Sequence, residues 1–330
     1  YAELQVTSHF SFLRGASGCD ELFTTAKALG IEALGIVDRN SLAGIVRAWE
    51  AAKETGVRLV VGCRFDLTDG MSILVYPIDR AAYSRLCRLL SLGKERGGKG
   101  NCILDLSDVA LYAEGLLAIL IPDEADDACA VQLRKVRDIF GDRAYMALTL
   151  RRRPNDQLRL HGLNTLAIRH KVRPVVTNDV LFHEPGRRQL QDVVTCIRHR
   201  TTIDQAGFLR ERHADRFLKP PEEMHRLFSR YPEALARTRE IVDRCRFDMS
   251  ELTYQYPEEA IIPGLTAQQS LEKFTWEGVR DRYPEGVPDD VVKTLNHELD
   301  LIRKLDYAPY FLTVYSIVRF ARSHDILCQG

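Results

Sequence analysis

Five short β-rich runs in this sequence end in residues able to do chemistry: Thr7-Ser8-His9, Asp38-Arg39-Asn40, Cys63-Arg64, Pro122-Asp123 and Asn178-Asp179. Carboxylates and imidazoles brought to one place hold divalent cations, and a multinuclear site needs several of them around each ion. These ends supply three carboxylates and a single histidine, with Arg39 and Arg64 among them. That is a thin ligand set for a working metal cluster. No Gly-x-Ser-x-Gly elbow and no His-Glu-x-x-His pair offers a different catalytic template.

The runs that carry these ends read as strands: Leu4–Thr7, Ala33–Val37, Leu59–Leu67, Ile73–Tyr76, Leu116–Ile121, Tyr145–Leu150 and Pro174–Thr177. Helical stretches alternate with them. Ser17 and Asp20 read as a capping-box-like start for a helix with Leu22, Ala26 and Leu29 on one face and Gly30 as its stop. Further helices are expected through Val46 and Trp49 up to Gly56, and over Asp79–Leu92, Val131–Phe140 and Asp156–His170. Repeated strand–helix units of this length predict an α/β fold, a parallel sheet or a barrel, with its chemistry at the carboxyl ends of the strands. Gly93–Gly100 reads as a flexible loop. From about Pro220 the pattern turns helical, over Pro232–Arg244, Ala267–Tyr283, Asp289–Leu305 and Pro309–His324, with Tyr254–Pro263 as a proline-containing connector. Ile326–Cys328 reads as a strand running into a loop.

The chain has 330 residues, enough for about two domains. At 45% hydrophobic and 28% charged it is neither disordered nor a small disulfide scaffold. Its eight cysteines form no Cys-x-x-Cys pair and read as reduced thiols of a cytoplasmic protein. Lys+Arg and Asp+Glu both number 46, so no global field draws the chain to nucleic acid or membrane. No apolar run approaches the roughly 20 residues that cross a bilayer. Positive charge is local: Arg198, Arg200 and Arg212 are candidate phosphate contacts, although interleaved acids make solvated faces the plainer reading. The sequence starts Tyr1-Ala2 and stops at Gln329-Gly330, and reads as a piece of something longer.

Three stretches together resemble the N-terminal part of bacterial C-family DNA polymerases, of the polymerase III alpha-subunit type. Leu4–Gly15 with Gly35–Gly44 is similar to the opening of the polymerase and histidinol phosphatase (PHP) domain, and Pro174–Val180 to a late strand of it. Leu305–Tyr315 through Ile326–Gly330 resembles the start of the polymerase palm. Ser11–Ser17, Ala43–Ala52, Cys196–Arg200, Arg244–Asp248 and Ile326–Gly330 look like the error-prone branch used in damage-induced mutagenesis. The resemblance implies a distorted parallel β/α barrel over residues 1–245, followed over 246–330 by a connector and the mostly helical beginning of the palm. It also implies a parent enzyme that performs template-directed synthesis on a DNA template-primer with dNTPs and Mg, using palm carboxylates expected beyond residue 330. A sliding clamp and accessory mutagenesis proteins are the implied partners.

Carried over position by position, the metal ligands of an active PHP domain are mostly missing. The first histidine pair falls on Gln5 and Thr7, and the histidine after Asp38 on Arg39. The next glutamate falls on Arg64, the histidine after it on Ser72, and the histidine after Asp179 on Leu181. Only Asp38 and Asp179 match. The expectation is a vestigial site in which these two aspartates pair with Arg39 or Arg64, leaving a non-catalytic scaffold that holds no metal. Two alternatives stand beside it. His9 and His183 rebuild a reduced metal site with Asp38 and Asp179, giving a phosphoesterase or 3′–5′ exonuclease; or the barrel is a docking module for partner proteins.

Overall fold

The apolar runs fold as short strands that are largely buried on both faces, as expected where helices cover a sheet. In the computed structural model, which describes residues 1–253 and 261–328, they are β1 (Glu3–Val6), β2 (Ala33–Ile36), β3 (Arg58–Val61), β4 (Cys63–Asp66), β5 (Ser72–Pro77), β6 (Leu116–Leu120), β7 (Ala144–Leu148) and β8 (Arg173–Val176). The helices among and after them are α1 (Cys19–Ala28), α2 (Ile45–Thr55), α3 (Arg80–Gly97), α4 (Leu106–Leu111), α5 (Asp127–Phe140), α6 (Asp156–Arg169), α7 (Arg188–His199), α8 (Pro221–Leu227) and α9 (Pro232–Arg244).

β1-β2-β3 form a parallel sheet and β4-β5-β6-β7-β8 a second, mixed sheet. Two parallel bridges join them into a ring, Val6 with Val180 and Arg39 with Arg64. At the first seam Thr7 N donates to Val180 O at 2.9 Å and Val180 N to Gln5 O at 2.8 Å. At the second, Asn40 N donates to Arg64 O at 2.8 Å. Leu4, Val60, Leu74, Tyr76, Leu117, Ile119, Tyr145 and Val175 gather in one buried cluster with Ile241 and Val242 of α9. Their neighbours along the strands pack instead under α1 and α2 or under α3, α5 and α6. The ring therefore has a filled interior, and α9 packs on the same cluster as Ala2, whose N–H donates to Thr238 Oγ1.

The ring is parallel except at β5. Leu59–Leu67 is not one strand: it breaks at Gly62, where a Cβ would lie 2.7 Å from both Tyr76 and Val37. The link from β4 to β5 is a tight turn in which Leu67 N donates to Met71 O at 2.8 Å, with Gly70 at a φ of 84°. A turn this short permits only antiparallel pairing, and a parallel return needs a dozen or more residues. β5 pairs antiparallel with β6 as well.

Other local expectations are also revised. The cap of α1 is Gly18, whose N–H donates to Glu21 Oε2 at 2.9 Å, and Ser17 is used elsewhere. The glycine-rich stretch at 93–100 is partly helix, because α3 continues to Gly97. Phe247 is buried and stacks on Tyr83 with ring centroids 4.4 Å apart, so the first compact unit runs past residue 245 to Leu252.

The second unit, Thr253–Gly330, contains α10 (Ala267–Arg282), α11 (Asp289–Lys304) and α12 (Ala308–Ser323). Thr266 and Gln269 form a reciprocal capping box at the start of α10. Leu271, Leu299, Ile302, Ala308 and Leu312 make its small core. Ile326–Cys328 follows α12 without forming a strand. Most of the expected connector, residues 254–260, and the final Gln329-Gly330 lie outside the described residues.

Candidate functional site

The carboxyl ends of β1, β2, β4 and β8 converge with the start of the reversed β5, and this brings the sequence-derived positions together. Asp38, at the end of β2, is 1% exposed. It accepts from Ser8 N at 2.9 Å, Ser8 Oγ at 2.7 Å and Ser11 Oγ at 2.7 Å. Burial pushes its carboxyl up from the ordinary aspartate value, opposed by the two serines. The expected pairing of Asp38 with an arginine does not occur. Its acceptor capacity goes to hydroxyls and an amide on the loop after β1, which lies closer than either guanidinium.

Arg39 reaches past Asp38 to Asp66, the last residue of β4, in a close ion pair. Arg64 Nε shares the same carboxylate at 3.2 Å and also donates to Ser72 Oγ at 2.9 Å, while Ser72 Oγ donates to Asp66 Oδ1 at 2.7 Å. Burial disfavours the Asp66 charge, but Arg64, Arg39 and Ser72 together hold its pKa below the ordinary value. Arg64 Nη1 also stands 3.8 Å from Asp179 Oδ1.

Asp179 has a nearer partner that the sequence reading missed. Arg216 Nη2 lies 2.6 Å from Asp179 Oδ2, and Arg216 Nη1 lies 2.6 Å from Glu211 Oε1. Gln5 Nε2 donates to Asp179 Oδ1 at 2.8 Å, leaving Gln5 Oε1 buried without a partner. Burial again works against the charge, and Arg216 and Arg64 outweigh it, so Asp179 stays below the ordinary aspartate range. Asp179 sits at a φ of 49°, a left-handed conformation that Asp tolerates better than most residues. Arg216 comes from the segment just before α8, far from β8 in sequence, and no spacing rule points to it.

The remaining positions make other contacts. Thr7 is buried and serves the seam through its backbone. Leu181 packs with Ala16 and Phe182 in an apolar cluster. The two histidines that were to rebuild a site are engaged separately. His183 Nδ1 pairs with Ser17 Oγ at 2.8 Å, and His9 is exposed and lies against Phe10 with ring centroids 4.5 Å apart. Among the described residues no three His, Cys, Asp or Glu side chains gather with metal-ligating geometry. The donor set does not fit a PHP metal cluster: guanidinium groups, which stay protonated, hold the carboxylates that cations would need.

Of the three candidate phosphate contacts, two line different cavities. Arg212 lies 5.4 Å from the ring of Phe208 and lines a cavity of about 220 Å³ beside Asp179 and Arg216. Arg198 lines a different one, near Arg39, and its Nη1 donates to Leu13 O at 2.8 Å. Arg200 ends α7 in a left-handed conformation and is exposed.

Comparison with known proteins agrees with the order of these parts. The PHP domain model matches residues 3–151, and the bacterial DNA polymerase III alpha NTPase domain model matches residues 269–330. Error-prone DNA polymerase 2 of Rhizobium meliloti (strain 1021) is 73% identical over 330 residues, covering 100% of this chain and 30% of that protein. Error-prone DNA polymerase of Caulobacter vibrioides is 49% identical over 332 residues, covering 100% of this chain and 31% of that protein. An amidohydrolase structure from Chromobacterium violaceum aligns with a TM-score of 0.40 at 15% identity, over 55% of this chain and 87% of that one. The chain thus spans about 30% of the length of the error-prone polymerases it matches. It belongs to the bacterial C-family polymerases of polymerase III alpha type, in the error-prone branch, as their PHP domain and the beginning of the alpha domain.

Proposed function

We propose that this chain serves an error-prone DNA polymerase that extends primers across damaged template with dNTPs and Mg, and that its PHP barrel is a non-catalytic scaffold. The parent activity rests on the similarity to error-prone polymerases along the whole chain. The scaffold reading rests on one observation. Arg39 and Arg64 stand at PHP ligand positions, and with Arg216 they bind Asp66 and Asp179, so fixed positive charge takes the place of divalent ions. The polymerisation carboxylates belong to the palm, outside these residues.

Two measurements test the two halves. Full-length parent protein with Mg should extend a primer past an abasic template position, and no extension on any template would overturn the polymerase reading. For the barrel, metal content and 3′–5′ release of nucleotides are compared in wild type and Arg64→Glu. Neither protein should carry stoichiometric Zn or Mn or release nucleotides above background. Stoichiometric metal with nuclease activity in the wild type would establish the phosphoesterase alternative instead.

A further inference from the structure

The larger cavity at this end of the barrel adjoins the aspartate–arginine contacts just described, with Arg39 and Asp66 on one wall. Its volume is about 560 Å³, within the range of about 300–1,000 Å³ usual for ligand pockets. Arg14, Arg39, Lys94, Lys99 and Arg198 line it, against a single carboxylate, Asp66. That carboxylate is already taken by Arg39 and Arg64. Arg14, Lys94, Lys99 and Arg198 have no ion pair among the described residues. Arg14 and Arg198 are half-buried, and burial followed by repulsion from Arg14 lowers the pKa of Arg198 against the pull of Glu211; for Arg14 burial also dominates, with Arg64 adding to it against the pull of Asp66. A neutral chain has thus concentrated unpaired cations around one hollow, where they repel one another.

Phe12 stands at the rim and is 81% exposed. An exposed aromatic ring beside a basic cavity is the combination that binds single-stranded nucleic acid, with bases stacked on the ring and phosphates on the cations. The floor adds a further feature. Gly93-Lys94-Glu95-Arg96-Gly97-Gly98-Lys99 has the Gly-x-x-x-x-Gly-Lys spacing of phosphate-cradling loops, which its reading as a plain flexible loop does not bring out. It ends a helix instead of following a strand, and Gly100 stands where such loops carry Ser or Thr, so it is no nucleoside-triphosphate loop. It does deliver Lys94 and Lys99 to the cavity.

We propose that this cavity binds single-stranded DNA, with backbone phosphate held by Arg14, Lys94, Lys99 and Arg198 and a base stacked on Phe12. The site needs only the barrel and stands or falls apart from primer extension.

The test is fluorescence anisotropy of the full chain with a labelled oligothymidylate across a salt series, with tripolyphosphate as competitor. The triple variant Arg14→Gln/Lys99→Gln/Arg198→Gln should bind at least roughly tenfold more weakly, with a salt slope shallower by about 0.7 for each phosphate that is no longer neutralised. A variant with the same charge removed from α5, Arg134→Gln/Lys135→Gln/Arg137→Gln, should bind as the wild type does. Phe12→Ala, at a position too exposed to threaten folding, should weaken the oligonucleotide by roughly tenfold and leave tripolyphosphate inhibition unchanged. Thermal unfolding of the triple variant should show undiminished stability, since repulsion is relieved. Equal binding by wild type and cavity variant would overturn the proposal. So would an unaltered affinity in Phe12→Ala, which would reduce the cavity to a bare polyphosphate site.

Discussion

Asp179 and Arg64 look like equal members of one network, yet their removal should differ sharply. Asp179 faces Arg64 and Arg216 at once, and without its charge the half-buried Arg216 keeps only Glu211 as an acidic partner. Asp179→Asn should therefore destabilise the chain by roughly 3 kcal/mol, the scale of an uncompensated charge left in a partly buried pair. Arg64→Met should cost only about 1 kcal/mol, because Asp66 retains Arg39 and Asp179 retains Arg216. Urea denaturation of the two variants at neutral pH measures the difference, and similar destabilisation in both would refute the unequal partnership. Since Asp66 and Asp179 are both held below the ordinary aspartate value, their contribution to stability is complete above about pH 4 and disappears as the pH falls further. Asp38 lies on the opposite side: its raised value makes its charge a cost at neutral pH, which acid removes.

Among the elements, β1 and β2 approach so closely that Gly35 has no room for a side chain. A Cβ there would lie 2.6 Å from Leu4 O and 2.9 Å from Leu4 Cα, both backbone atoms of the paired strand. Gly35→Ala should cost about 2–3 kcal/mol and lower the thermal midpoint accordingly, and a neutral substitution would show that the sheet yields. The strand–helix alternation was legible because runs such as Leu116–Leu120 and Ala144–Leu148 contain nothing a surface would need. The reversal of β5 was not read, although Thr68-Asp69-Gly70 breaks the apolar run with a hairpin dipeptide, because the strand–helix alternation on either side implies parallel connections. The site divided in the same way. Asp38, Arg64 and Asp179, each within three residues of the end of β2, β3 or β8, could be placed from order alone. Asp66 and Arg216 could not, because their roles exist only once the ring brings β4 and the segment before α8 to the same mouth. Ser8 and Ser11 were hidden for a simpler reason, since a serine's partner is set by loop geometry that spacing does not encode.

For the whole molecule, a further buried carboxylate, Glu3, adds its own response to pH at higher values than the aspartates do. Glu3 is 2% exposed and accepts from Tyr1 Oη, Gln5 N and Asn178 N. Burial raises its pKa to about 7, against these hydrogen bonds and the attraction of Lys219. A folded-state value above the unfolded one means that the native chain holds its proton longer. The resulting penalty begins as pH rises through about 4.5, is complete above about 7, and amounts to the order of 3 kcal/mol. Glu3→Gln should therefore be more stable than wild type at pH 8 and gain nothing at pH 4.5, as read from thermal unfolding at the two values. An equal gain at both would assign the effect to packing instead.

The seam between Val6 and Val180 also dictates an order of events during synthesis. Gln5 and Asp179, which bond across it, are 174 positions apart in sequence. As the chain leaves the ribosome, the first strand waits beside its second and third neighbours with one edge unsatisfied until the eighth has been translated, and α9, which packs against the filled interior, comes later still. A ring of this kind can only shut after most of the barrel has emerged, so its open edge is the surface a nascent-chain chaperone would meet.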